Sequence, residues 1–215
     1  MKFSPLLLST LLAHVAVGQT ADKTKEVHPK IDTYRCTKAG GCKKTTNYIV
    51  ADAELHGISQ SNGQNCGDWG EAADPKACPD EKTCAKNCKL SGMDLAAYKA
   101  KGITTSGSAL RLEMLRNGQS VSPRVYLLEK NKKKYEMLKL TGAEFSFDVE
   151  TQKLPCGMNG ALYLSEMPAD GGKSTSRYST LGAAQGAGYC DAQCYVTPFI
   201  NGVVSEPDTV NFERD

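Results

Sequence analysis

Tryptophan occurs once in this chain, at Trp69, and histidine only three times. One of those histidines, His14, sits in the apolar N-terminal stretch, which leaves little imidazole for a metal site. Neither sign of charge dominates: 26 Lys and Arg oppose 24 Asp and Glu, a formal net charge of +2. That balance excludes a strongly basic nucleic-acid binder, and 40% hydrophobic residues exclude a disordered polyelectrolyte. No apolar run reaches the roughly 20 residues that a membrane-spanning helix needs, so no membrane partner is predicted. No Asn-x-Ser/Thr acceptor occurs, so N-glycosylation is not predicted either.

What is present reads as a secreted, turn-rich β protein. The 215 residues fit one large domain or two small ones, and 20 Gly with 9 Pro favour short strands over a helical bundle. Lys2, an apolar run from Leu6 to Val15 and small residues up to Gly18 form the layout of a signal peptide over residues 1–18. The mature chain then starts near Gln19, outside the cell, where disulfides persist. There are nine cysteines, an odd number that leaves at least one without an internal partner. Six of them, Cys36, Cys42, Cys66, Cys78, Cys84 and Cys88, crowd residues 33–92. That density suits a loop-rich section stapled by bridges, and secretion favours disulfides over zinc at Cys84-x-x-x-Cys88.

Further along, Met93–Lys101 has the composition of two helical turns, with Gly102 as the stop. From there the period changes to two. Leu110, Leu112 and Met114 alternate with charged residues, Arg124–Leu128 and Tyr135–Leu140 read as a hairpin, and Glu144–Val149 and Ala161–Ser165 read as further strands. Lys130, Lys132, Lys133 and Lys134 form a basic run, read as a solvated turn in preference to an anion site.

The stretches Cys36-Thr-Lys-Ala-Gly-Gly-Cys42, Cys78-Pro-Asp-Glu-Lys-Thr-Cys84-Ala-Lys-Asn-Cys88, Leu154-Pro-Cys-Gly-Met-Asn-Gly-Ala-Leu-Tyr163 and Gly188-Tyr-Cys-Asp-Ala-Gln-Cys194 stand in one order along the chain. Together they resemble the fungal cellulases of glycoside hydrolase family 7, and the runs Ser122–Leu128 and Tyr135–Leu140 are closer to its endoglucanase branch. The matches hold order and spacing from about residue 24 to 202. The resemblance implies an all-β, concanavalin-like β-jelly roll sandwich, a monomer without cofactor or metal, and retaining hydrolysis of β-1,4-glucan. By position it implies that Tyr163, Tyr189, Asp191, Gln193, Arg124 and Asn159 line the cleft. It implies bridges Cys36–Cys42, Cys66–Cys88 and Cys78–Cys84, and leaves Cys156, Cys190 and Cys194 without partners in this chain.

Retaining hydrolysis needs two carboxyl groups about 5–5.5 Å apart. The family takes both from a Glu-x-Asp-x-x-Glu motif, which this sequence does not contain. Glu206-Pro-Asp208-Thr-Val-Asn211 has the first two acids but places Asn where the second Glu belongs, and Glu166–Asp170 has the wrong spacing. Where the family carries tryptophan platforms, this chain reads Asp52-Ala-Glu-Leu-His-Gly-Ile58. The expectation is therefore an incomplete jelly roll, residues 19–215 being the N-terminal part of a catalytic domain and hydrolytically silent alone. Two rival readings are a non-catalytic glucan-binding jelly roll and a small secreted interaction protein built on the cysteine-rich section.

Overall fold

The computed structural model describes residues 18–68, 73–176 and 178–189. Most of the leader, Trp69, Cys190, Asp191, Gln193, Cys194 and the Glu206–Asn211 segment lie outside the described residues. In chain order the elements are β1 (Lys30–Thr37), β2 (Gly41–Ala51), a 3-10 turn (Ala53–Leu55), β3 (Ile58–Gln60), α1 (Glu81–Asn87), β4 (Cys88–Leu90) and α2 (Leu95–Ala100). They continue with β5 (Ile103–Ser106), β6 (Ala109–Leu112), β7 (Leu115–Arg116), β8 (Gln119–Ser120), β9 (Val125–Leu128) and a second 3-10 turn (Ala183–Gln185).

The principal sheet has the order β1-β2-β9, antiparallel throughout. At the inner end of β2, Ile49 and Ala51 pack into one core cluster and Val50 into another, so the strand is covered on both faces there. Ile31 on β1 and Ile49, Val50 and Ala51 on β2 are buried, whereas the distal hairpin beyond Thr33 is exposed and crossed by the Cys36–Cys42 disulfide. β9 adds to the buried half of β2, from Tyr48↔Leu128 to Ala51↔Val125.

A second ribbon, β3 against β4, carries the cysteine-rich section. Bridges Cys66–Cys88 and Cys78–Cys84 pack side by side, with Cys78 Sγ 3.4 Å from Cys88 Sγ. Together with Ile58, Ala77, Ala85, Leu90 and Leu181 they form a core in which cystine replaces the large side chains a loop-rich segment lacks. Asp80 caps α1 by accepting the Thr83 N–H at 2.8 Å.

α2 is shorter than the segment its composition suggested. Asp94 accepts the Ala97 N–H at 2.8 Å and starts it, and Gly102, at φ +77°, supplies the left-handed residue that ends it. Its one fully buried side chain, Tyr98, ties three segments together. The Tyr98 hydroxyl donates to Glu26 Oε1 at 2.6 Å and accepts the Ala51 N–H at 3.1 Å. Burial and the neighbouring Glu26 carboxylate push its pKa well above the ordinary phenol value.

The strand expectations fare unequally. Leu110 and Leu112 do lie on β6, which pairs with β5. The hairpin over 124–140 closes only at its turn. Glu129 N–H donates to Lys134 O and Glu136 N–H to Leu127 O, and pairing stops after the Leu128↔Tyr135 bridge. The lysines of that turn are largely solvated, and Lys132 Nζ stands 4.2 Å over the Tyr48 ring. Glu144–Val149 and Ala161–Ser165 form no strand among the described residues. The reason is physical: alternation supplies a face, but a strand also needs a neighbouring backbone for its N–H and C=O groups. No backbone hydrogen bond among the described residues links either segment to another. No helix of the described residues is long and apolar enough to cross a membrane.

Candidate functional site

Where β2 ends, Asp52 faces Arg124 across the β2–β9 ladder, and the Asp52 N–H donates to Arg124 O at 2.9 Å. Arg124 and Tyr126 are two residues apart on an extended segment, so their side chains share one face. Both converge on Asp52. Arg124 Nε donates to Asp52 Oδ2 at 2.9 Å, the Tyr126 hydroxyl donates to the same oxygen, and Asp52 Oδ1 accepts the Glu54 N–H at 2.9 Å. Glu54 Oε2 lies 3.4 Å from Arg124 Nη2.

A second layer comes from the C-terminal end of the described chain. Residues 186–189 are held against the sheet by Ala53 N–H donating to Gly186 O and Tyr135 hydroxyl donating to Ala187 O at 2.6 Å. Gly186 has φ +68°, and a Cβ there would stand 1.9 Å from Ala51 O, so only glycine permits this approach. The segment thereby delivers Tyr189 over the sheet. Its ring centroid is 4.2 Å from the Arg124 guanidinium carbon, 5.9 Å from the Tyr126 ring and 6.5 Å from the Tyr163 ring. The Tyr163 and Tyr189 hydroxyls are 3.4 Å apart, and Tyr135 meets Tyr126 edge-on at 5.4 Å.

Charge in this cluster is fixed rather than exchangeable. Burial works against the Arg124 cation, but the Asp52 carboxylate, its hydrogen bond, Tyr126 and Glu54 together raise the guanidinium pKa above its ordinary value. Burial and then the Asp52 charge raise the Tyr126 phenol as well, which keeps it neutral. Asp52 is 3% exposed and accepts from three donors, so its two carboxylate oxygens are committed to partners within the cluster. The arrangement can present ring faces and hydroxyl donors to a neutral polar ligand. It does not offer an acid/base pair.

Three of the six positions carried over from the resemblance, Arg124, Tyr163 and Tyr189, are thus brought together. Asn159 is exposed, and no hydrogen bond among the described residues joins it to the cluster. Arg124 is both a strand ion-pair partner and the cation over Tyr189. Asp52, Glu54, Tyr126 and Tyr135 were missed by the sequence reading. The Arg-x-Tyr period was visible, but the partner Asp52 appears only once β2 and β9 are paired. Leu55 offers aliphatic packing to the core beneath α2 and no stacking face. The sulfurs of Cys78, Cys84 and Cys88 lie within 4.8 Å of one another, yet all three are in disulfides, which leaves no thiolate to ligate an ion. Cys156 is exposed and free.

Known proteins now bear on this geometry. The model of glycosyl hydrolase family 7 matches residues 20–213, beyond both ends of the stretch recognised by motif. Endoglucanase type C of Fusarium oxysporum is 74% identical over 203 residues, covering 94% of this chain and 47% of that protein. A solved endoglucanase I complexed with cellobiose is 75% identical, with a TM-score of 0.79 over 86% of this chain and 47% of its own. A family 7 cellobiohydrolase from Daphnia pulex has a TM-score of 0.76 at 32% identity, covering 86% of this chain and 43% of its own. The chain spans about half the length of the relatives it matches. These likenesses make the fold a concanavalin-like β-jelly roll, of which the described sheets are a part. With the family model covering nearly the whole sequence, this chain belongs to glycosyl hydrolase family 7.

Proposed function

We propose that this chain is the glucan-binding part of a secreted, retaining endo-β-1,4-glucanase, preceded by a signal peptide over residues 1–18. One observation carries the reading: Arg124, Tyr126, Tyr163 and Tyr189 form a single aromatic and cationic cluster on a family 7 sheet. Pyranose rings have apolar faces and hydroxylated edges, and tyrosines beside a fixed cation match both. The endoglucanase identity of the 74% relative and the cellobiose in the solved relative support β-1,4-glucan as the ligand class. Asn159, Asp191 and Gln193 belong to the same cleft in this reading, and the chain acts as a monomer without a cofactor.

Hydrolysis by the 215-residue chain itself is expected to be negligible, because the sequence contains no Glu-x-Asp-x-x-Glu pair and Asp52 is committed to Arg124 and Tyr126. That same commitment favours, as a second reading, binding without cleavage. Affinity electrophoresis through gels containing soluble β-1,4-glucan, paired with a reducing-sugar assay, separates the cases. Retardation without sugar release is expected. Tyr163→Ala, at a 55% exposed position, should weaken retardation roughly threefold to tenfold without unfolding the chain. Steady sugar release would refute catalytic silence, and unretarded migration would refute glucan binding.

A further inference from the structure

The cations around the principal sheet are unevenly paired. Its acids have their own partners: Asp32 takes Lys44 at 3.4 Å, Glu136 takes Arg35, and Asp52 takes Arg124. Lys30 on β1 and Lys130, Lys132, Lys133 and Lys134 on the turn after β9 form no ion pair among the described residues. The acid of that turn, Glu129, pairs with none of them, and its Oε1 is buried. The chain as a whole carries only +2, so this excess of positive charge is a local arrangement.

Lys132 is held in place against its own backbone preference. Its φ is +62°, a left-handed value that a residue with a Cβ adopts at a cost. Lys132 N–H donates to Glu129 O at 2.9 Å and Lys133 N–H to Asn131 Oδ1 at 2.7 Å, which fixes the loop. The ammonium then stands 4.2 Å from the centre of the Tyr48 ring. A cation seated on an aromatic face has shed water on that side and keeps its charge in one place. Lys30 is the β1 partner of Tyr48, so its side chain leaves the sheet on the same face.

That face is also the one that carries the aromatic cluster. Tyr48 pairs with Leu128 on β9, and Tyr126 is two residues from Leu128. Asp52 is four residues beyond Tyr48, about 13 Å along an extended chain. Val50 and Leu128, packed with Tyr135 and Ala183, lie between the two patches. A polymer can reach both, and a single sugar only one.

We propose that Lys132 and Lys30, flanked by Lys130, Lys133 and Lys134, form a carboxylate-binding site for an acidic pyranose polymer, one whose sugar rings carry uronic acid or carboxymethyl groups. The proposal deepens the glucan-binding reading and rests on it, since the tyrosines on the same face supply the contacts to the sugar backbone. Charge complementarity and a shared face select this ligand, and the near-neutral chain argues against a nucleic acid.

The test compares two soluble β-1,4-glucans, carboxymethyl cellulose and neutral hydroxyethyl cellulose, by titration of the whole chain followed by tyrosine fluorescence. Carboxymethyl cellulose should bind about fivefold to tenfold more tightly at low salt, as two exposed charge pairs would give. The preference should vanish near about 1 M salt, where the screening length is about 3 Å. The double change K30Q/K132Q should remove the preference and leave binding of hydroxyethyl cellulose and the circular dichroism unchanged, while K132R should keep it. K82Q/K86Q, the same loss of charge at exposed positions on α1, should keep it too. A preference that survives K30Q/K132Q, or that K82Q/K86Q removes equally, would overturn the site. Equally tight binding of polyphosphate would overturn its choice of an acidic sugar. Lysine-dependent binding of carboxymethyl cellulose with none of hydroxyethyl cellulose would uphold the lysine site and remove the neutral-glucan reading. Equal binding of both polymers would do the reverse.

Discussion

Ile49, Val50 and Ala51 follow one another along a strand and are buried; Phe145, Phe147 and Val149 recur with period two and stand about half exposed. The difference lies in the neighbours and not in the residues. β2 has β1 on one side and β9 on the other, and α2 lays Tyr98 across its end. The 144–149 segment has no such partners among the described residues. Local pattern therefore proposes a strand, and a second backbone completes it.

The comparison can be broken most forcefully from its stable side. Removing the buried Cys66–Cys88 bridge with the double change C66A/C88A should cost about 2–5 kcal/mol, because the bridge both closes a loop and fills the β3–β4 core. Thermal unfolding followed by circular dichroism should show a large fall in Tm, and an unchanged Tm would mean that this core is not what holds the section together. Tyr98→Phe comes next. It strands the Ala51 N–H and Glu26 Oε1 in a buried site, and chemical denaturation should report a loss of about 1–3 kcal/mol. Asp94→Ala removes only the cap of α2 and should cost about 1 kcal/mol, with Asp94→Asn retaining most of it.

Acidification should produce a milder change with a definite sign. Burial holds the His28 pKa below its ordinary value despite the hydrogen bond to Ala184 O at 2.8 Å and the nearby Glu26 charge. The native state thus favours neutral imidazole, while the unfolded chain accepts a proton near pH 6.5. The His28 contribution to stability is complete above that pH and is lost as pH falls through the lower native value. His28→Gln should flatten this part of a stability-versus-pH curve, and an unaltered curve would assign the effect elsewhere. Smallest of all, Phe147→Ser on the uncovered segment should shift stability by no more than about 0.5 kcal/mol. A larger loss would show that this side chain has cover after all.

Part of the site could be read in advance because its residues sit in short contiguous motifs. Tyr163 ends Leu154–Tyr163, Tyr189 precedes Cys190, and Arg124 opens a β-prone run. Asp52 could not be read this way, since its role comes from a ladder that joins it to a residue far along the chain. Tyr126 lay in plain view as the second residue of an alternating pair, yet its partner fixes its meaning. The hairpin at 124–140 was legible at its turn, where local hydrogen bonds suffice, and illegible beyond Glu136, where pairing depends on more than proximity.

The sequence by itself determined the family, the cysteine-rich section, the helix stop at Gly102 and the absence of a Glu-x-Asp-x-x-Glu pair, because each is written in adjacent residues. Only the tertiary structure decided that Asp52 neutralises Arg124, that Gly186 carries Tyr189 over the sheet, and that two well-patterned segments find no strand partner among the described residues. Hydrogen bonds and ring contacts act over a few ångströms of space. Which distant residues share that space is settled by how the strands meet.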